Sequence, residues 1–438
     1  MSETNQAVYL SSVSVANLAC FGPRQTLDLT VADGQPARWT LILGDNGTGK
    51  TTLLQAIAGL TPVAKGNQSS PWIVNWPPAF SLMRGQSKDA LTIMATFLIG
   101  PRLHAQSVAR KGFAASIAID PPGSPSDFIV RNAGRYQQIN NFLCYGYGAT
   151  RRPGAARLGW RELLEFESAT LFDDQEQLIS PGEWLLRMDY AAAKQAAGDD
   201  SEYGARKERV KKLLIRILPD VEAVDIQIHD GPGAEVFFKT AYGKVPFERM
   251  GLGYRTMTAW VIDLAARMFR CWPDAEDPLS EPAVVLVDEI DLHLHPSWQR
   301  HLMGWLSELF PNTQFVATAH SPLMVQAAQD ARIAVLKREG DHAVVDQSFS
   351  SVTGWRVDQL LTSDLFGLPT ARAARYDEII AERTALLSKS ALSDADEQRV
   401  IELDAHMAAL PAGENAVDIE AMDIIRRAAD ALKRGGDG

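Results

Sequence analysis

Gly44, Gly49, Lys50 and Thr51 stand at the spacing G-x-x-x-x-G-K-[ST] within the run Gly44-Asp45-Asn46-Gly47-Thr48-Gly49-Lys50-Thr51-Thr52. Glycines at Gly44, Gly47 and Gly49 let backbone N–H groups approach an anion without interference from a Cβ. A lysine adds a point charge, and a threonine hydroxyl can hold a divalent cation. The chemistry implied is capture of a nucleoside triphosphate. Residues Gly44 to Thr52 would cradle the phosphates, Lys50 would reach the β- and γ-phosphates, and Thr51 would hold Mg²⁺. The context agrees, because Trp39 to Leu43 reads as an apolar strand and a helical run follows the loop. The positive end of that helix faces the same anion.

Three further stretches carry reactive residues. Val284 to Val287 is a continuous apolar run of the kind found in buried parallel strands, and it ends in Asp288-Glu289. An acidic pair there can face a ligand held by the loop after a neighbouring strand. Asp288 would support the Mg²⁺ shell, through water, and Glu289 would orient or deprotonate the attacking water. A second buried strand, Gln314 to Thr318, leads into Ala319-His320-Ser321-Pro322 and brings the His320 imidazole to the same edge to sense the γ-phosphate. Gly251 and Gly253 open a helix with Met257, Trp260, Val261, Leu264 and Met268 at helical spacing. The helix N-terminus can offer free N–H groups to a phosphate, and the natural one is the nucleotide of a second copy.

The order of loop, long insertion, "MGLGYRT", "VVLVDEIDLHLHP" and "ATAHSP" resembles the ABC-type ATPase heads of the RecF, SMC and OLD-like group. The opening "VYLSSVSVANLACFG" resembles that group's first strand, and the motifs cover about residues 8–60 and 247–326. The resemblance implies an α/β P-loop head, a mixed sheet flanked by helices, with ATP and Mg²⁺ as cofactors. It also implies a homodimer that sandwiches ATP, each signature closing on its partner's nucleotide. Asp288 and Glu289 match the metal-binding and catalytic acids, and His320 the switch histidine. By the same resemblance His295 stands at the place of the D-loop aspartate, and His293 and His295 in "HLHP" read as a family pattern, with a metal-binding pair as the alternative. One departure is that Gly251 replaces the signature's usual serine and Leu252 its first glycine, which puts rapid hydrolysis in doubt. Leu143 to Arg152 is the candidate Q-loop, with Gln86 a weaker second.

These residues need a scaffold, and 438 residues suffice for two or three domains. The expected division is a discontinuous head, 1–60 and 241–350, an insertion over 61–240 with a basic surface, and an acidic helical region over 351–438. Between Pro101 and Arg161 nine basic residues face two acids, and "ARKERVKKLLIR" reads as a basic amphipathic helix, so DNA is a candidate partner. Leu361 to Gly438 carries 15 acids against nine bases and reads as helices at 376–387, 395–410 and 419–432. Residues 61–245 sustain no heptad run, which excludes long coiled-coil arms. Gly340-Asp341 reads as a hairpin turn, and Asp394-Ala395-Asp396 as a helix start, so the chain is not expected to be a nuclease itself. Cys20, Cys144 and Cys271 fit no metal or disulfide spacing. No apolar run approaches the roughly 18 residues of a membrane span, so a cytoplasmic chain without a membrane partner is expected.

The tail, with "LFDDQEQLISPGEWLLRMDYAAAK" in the insertion, is similar to the ATPase subunits of Septu-type and retron-linked anti-phage systems. That resemblance implies a separate HNH nuclease as partner. The alternatives are a RecF-like repair ATPase, a transporter subunit and a self-contained nuclease.

Overall fold

The computed structural model describes residues 6–64, 72–74, 91–103, 111–119, 128–131, 142–154, 167–194, 202–228, 234–328, 330–349, 352–389 and 392–408. The chain begins with β1 (Ala7–Ala16), β2 (Gln25–Asp28), β3 (Trp39–Gly44) and α1 (Lys50–Ala58), followed by β4 (Pro62–Ala64) and β5 (Trp72–Val74). β6 (Leu91–Gly100), β7 (Lys111–Ile119), β8 (Phe128–Arg131) and β9 (Cys144–Tyr147) come next. Helices α2 (Ala169–Phe172), α3 (Pro181–Lys194) and α4 (Glu202–Ile217) lead to β10 (Val221–Ile228), β11 (Ala234–Thr240) and β12 (Gly243–Pro246). The long helix α5 (Leu252–Cys271) precedes β13 (Ala283–Val287), α6 (Pro296–Leu309), β14 (Thr313–Thr318), α7 (Pro322–Ala327), β15 (Arg332–Glu339), β16 (His342–Asp346) and α8 (Val357–Leu361). Last come α9 (Asp377–Leu387) and α10 (Asp394–Ala408).

The fold is mixed α/β. Its central sheet runs β16-β15-β3-β14-β13-β9, parallel except for β16 at one edge. Every residue of β13 and β14 is buried, as expected for apolar strands covered on both faces. Gly340, at φ 58°, turns β15 into β16. A second sheet, β2-β1-β6-β7-β8, is antiparallel throughout. β6 buries Leu91, Ile93, Ala95 and Phe97 in strict alternation, so only one of its faces meets the core. That core joins the sheets: Leu10, Val13 and Val15 of β1 cluster with Ile42, Leu54, Ile57 and Val316.

A side chain stitches the sheets where pairing fails. The β1–β6 register shifts between Leu10 and Ser12. There Leu10 N donates to Gln314 Oε1 and Gln314 Nε2 donates to Leu10 O, each at 2.9 Å. A bulge leaves backbone groups without ladder partners, and a buried amide of this shape satisfies a donor and an acceptor together.

Contacts separate the chain into two compact units, Met1–Leu360 and Leu361–Gly438. The first crosses both boundaries expected for the 61–240 insertion. Strands β6 to β8 pair onto β1, and β9 pairs parallel to β13, so the middle segment helps build both sheets. Its later part is more self-contained: α3 and α4 pack on each other and on the β10–β12 sheet. Among the described residues no helix exceeds the 20 residues of α5, and none is long and apolar enough to cross a membrane. In the second unit α9 buries no residue, and the two helices are tied by surface pairs such as Arg399–Glu382 and Arg383–Asp404. The expected helix at 419–432 lies outside the described residues.

Candidate nucleotide site

The loop between β3 and α1 is shaped from both ends. Gly44 has φ 139° and Gly49 φ 93°, where L side chains are strained. Space is as restrictive as conformation: a Cβ on Gly44 would lie 2.4 Å from Leu336 O, and one on Gly49 would lie 2.3 Å from Cys20 Sγ. Inside the loop Thr48 Oγ1 donates to Asp45 O at 2.8 Å. Lys50 Nζ donates to Gly44 O at 2.7 Å and Asp45 O at 2.8 Å. Burial pushes the Lys50 ammonium below the usual lysine range, against the opposing pull of Asp288, Glu289, Asp45 and Asp291.

The acids arrive through sheet register. β14 aligns Thr318 with Ile42 of β3, and β13 aligns Val287 with Ala317 of β14. Asp288 therefore lies one strand further from the loop than the neighbouring strand expected from sequence; β14 stands between. It reaches the loop all the same. Thr51 Oγ1 donates to Asp288 Oδ2 and Thr318 Oγ1 to Asp288 Oδ1, both at 2.6 Å. Asp288 is only 4% exposed, and hydroxyl donors on both oxygens are what a buried carboxylate requires. The two expected Mg²⁺ ligands, Thr51 and Asp288, thus touch each other.

Glu289 follows with φ 46°, a backbone conformation that costs a non-glycine residue about 1–3 kcal/mol. Its N–H donates to Thr318 Oγ1 at 2.7 Å, so one threonine hydroxyl fixes both acids. Arg151 closes the other side: Nη1 donates to Asp288 O and Nη2 to Glu289 O, the latter at 2.9 Å. Arg151 is 2% exposed, and burial pushes its guanidinium down to about 10, protonated at neutral pH, with Asp288, Asp291 and Glu289 opposing the shift. Neither Thr318 nor Arg151 was singled out from sequence. Arg151 belongs to the candidate Q-loop, the stretch that forms β9 and the turn after it; Gln86 lies outside the described residues.

His320 reaches the same edge with an exposed side chain, and its backbone is fixed by an acid that sequence reading missed. Asp291 Oδ2 accepts from His320 N at 3.0 Å and Ser321 N at 2.7 Å. Ser321 caps α7 and donates to Gln299 Oε1 at 2.6 Å. His295 caps α6, its Nδ1 accepting from Ser297 N at 3.3 Å. Among the described residues no cluster of three or more His, Cys, Asp or Glu could hold a metal alone. The Thr51–Asp288 pair suits a cation that takes its other ligands from water and phosphate oxygens, as Mg²⁺ does. A triphosphate also fits: the cradle is kept clear of Cβ atoms, Lys50 stands inside it, and the first amides of α1 lack i−4 acceptors.

The second glycine-opened helix is arranged differently. Gly251 is the exposed N-cap of α5, and Gly253 lies in its first turn. A Cβ on Gly253 would sit 2.4 Å from His293 O, so this glycine lets α5 approach the turn after Glu289 within one chain. Met257, Trp260, Val261, Leu264 and Met268 are all buried, as their spacing predicts. Behind them the buried Asp263 accepts from Arg267 Nε at 2.6 Å and Tyr147 Oη at 3.1 Å, which ties α5 to β9.

The basic helix α4 pairs most of its charge within the chain. Arg206 pairs with Glu202, Lys207 with Asp189, Arg209 with Asp277, Lys211 with Glu208 and Arg216 with Glu308. Arg102, from the other basic stretch, pairs with Glu281 at 2.6 Å. Five of the six basic residues of α4 therefore have acidic partners within the chain.

Comparison with known proteins places the chain among ATPase-like relatives. A family model described as "AAA domain, putative AbiEii toxin, Type IV TA system" matches residues 149–325, and one described as "AAA domain" matches residues 12–68. The chain is 29% identical to the Septu protein PtuA of Bacillus mycoides (strain KBAB4) over 347 residues, 78% of this chain and 42% of that protein. It is 32% identical to "Retron Vc95 probable ATPase" of Vibrio cholerae serotype O1 biovar El Tor over 139 residues, 32% of this chain and 27% of that one. An SMC head solved with the C-winged helix domain of ScpA overlays with a TM-score of 0.44 at 14% identity, covering 78% of this chain and 98% of that one. The chain spans less than half the length of the curated relatives it matches. It is similar to AAA-domain proteins, with Septu protein PtuA and probable retron ATPases among its relatives.

Proposed function

We propose that this chain is an ATPase subunit of the ABC and SMC type that regulates a separate nuclease, of HNH class, in an anti-phage defence complex. The observation that carries the ATPase reading is the unbroken hydrogen-bonded path from Thr51 through Asp288 and Thr318 to Glu289, which joins a phosphate loop to a candidate general base. Lys50, once drawn off the Gly44 and Asp45 carbonyls, binds phosphate oxygens. Thr51 and Asp288 hold Mg²⁺, which supplies charge neutralisation for the phosphates. Glu289 orients water and accepts its proton, and His320 reads the γ-phosphate from the end of β14.

In this reading Gly251 and Gly253 face the nucleotide of a second copy, and ATP holds a homodimer in a restrained state. Nucleotide loss releases the nuclease. The relatives' names support the defence setting. The test is to purify the tagged full chain from its native cell with ATP and Mg²⁺ present. Mg²⁺-dependent ATP turnover and a co-purifying HNH protein are expected. Turnover without that partner, stimulated by DNA, would favour a RecF-like repair ATPase; no turnover would sink the enzymatic reading.

A further inference from the structure

We propose that Arg151 is the positioning residue for Glu289, its guanidinium closing on two successive carbonyls and holding the left-handed turn that presents the carboxylate. The inference rests on the ATPase reading and identifies what sets its acid in place. The Glu289 peptide groups are held at both ends, the N–H by Thr318 Oγ1 and the C=O by Arg151 Nη2. The preceding carbonyl, of Asp288, accepts from Arg151 Nη1. A glutamate at φ 46° relaxes toward an ordinary conformation when either anchor is lost, and its carboxylate swings with the backbone.

The clamp is itself anchored. Leu178 N donates to Arg152 O at 2.9 Å and Gly154 N to Leu178 O at 3.0 Å. A Cβ on Gly154 would lie 2.5 Å from Leu178 O, so the strand segments are pressed together. Arg151 has a left-handed φ of 36° of its own. Its Nε is buried without a hydrogen-bond partner, which leaves the two terminal nitrogens to make the contacts. A guanidinium presents two donors in a fixed plane, whereas an ammonium is a single rotating point charge. Lysine would keep the charge and lose the fork.

The test is Arg151→Lys in the full chain, with nucleotide Kd, the kcat and KM for ATP, and amide exchange over residues 287–292. Kd and KM should stay within about threefold of the parent while kcat falls at least about tenfold, the split expected when only transition-state geometry is lost. Exchange at 289–292 should quicken. A folded variant with kcat within about twofold of the parent, or one that loses affinity in step with kcat, would overturn the inference. If the variant does not fold, ¹⁵N NMR of the parent decides: a clamped Arg151 head group shows hindered rotation and slow proton exchange, and a freely rotating one overturns the proposal. A parent without ATP turnover would sink the proposed function, and the exchange and NMR readouts would still judge Arg151.

Discussion

Among the described residues, the helices α1 and α5 both open on glycine, and their surroundings differ. The α1 opening is enclosed: Cys20 packs on Gly49, Lys50 is 7% exposed, and Thr51 is bonded to a buried carboxylate. The α5 opening is bare: Gly251 is exposed, Leu252 is 44% exposed, and Gly253 turns inward against His293. Both leave first-turn amides without helical acceptors, so both attract anions in principle. Only the first has a cation, a hydroxyl and a carboxylate from its own chain already converging on it. The lesson is that a helix N-terminus becomes a nucleotide site through what the rest of the chain brings to it, and the α5 opening would need a second copy to bring the same.

Substitutions can break or sharpen that contrast. Lys50→Ala should have the largest effect, lowering affinity for a fluorescent ATP analogue by at least about 100-fold through loss of a charge-assisted contact. Affinity within threefold of the parent would mean the nucleotide sits elsewhere. Glu289→Gln should keep affinity within about threefold and lower turnover by about 10²–10³-fold; unchanged turnover would remove Glu289 from catalysis. At the other opening, Gly253→Ala forces a methyl against a backbone carbonyl and should cost about 1–3 kcal/mol. A thermal melt at the parent's Tm would dismiss that close approach. The mildest change is Gly251→Ser, whose Cβ would meet only Tyr254 Cδ2, at 3.8 Å. Stability should move by less than about 0.5 kcal/mol. If a second copy's nucleotide docks here, sedimentation with ATP should show a tighter dimer, and an unchanged dimer would leave the α5 opening a packing feature alone.

What could be read in advance from the sequence follows the range of the contacts. The phosphate loop is local, so residues 44–52 announced themselves by spacing, and the apolar runs of β3, β13 and β14 by their lack of polar interruptions. Thr318 and Asp291 did not stand out, because a threonine in a strand and a third acid in "DEIDLH" acquire roles only when β14 lies beside β13. Arg151 was one of two adjacent arginines in a basic stretch; its partners are 137 and 138 residues away. The 61–240 segment reads as an insertion in the sequence, because antiparallel pairing of β6 with β1, across some eighty residues of chain, leaves no local trace. Charge counting on α4 is incomplete for a related reason: composition records cations, not the acids that fold against them.

The tight fit around Gly44 also bears on biosynthesis. The loop's sequence leaves the ribosome well before β15, but the carbonyl packed against Gly44 belongs to Leu336, on a strand that pairs with β3. At about 5–20 residues per second, Leu336 is added roughly 15–60 s after Lys50. Through that interval the nascent loop has its motif without its mould. On the proposed reading, competence to hold nucleotide should therefore mature only once β15 has paired with β3, and a chain stalled before β15 should bind ATP more weakly than the full chain.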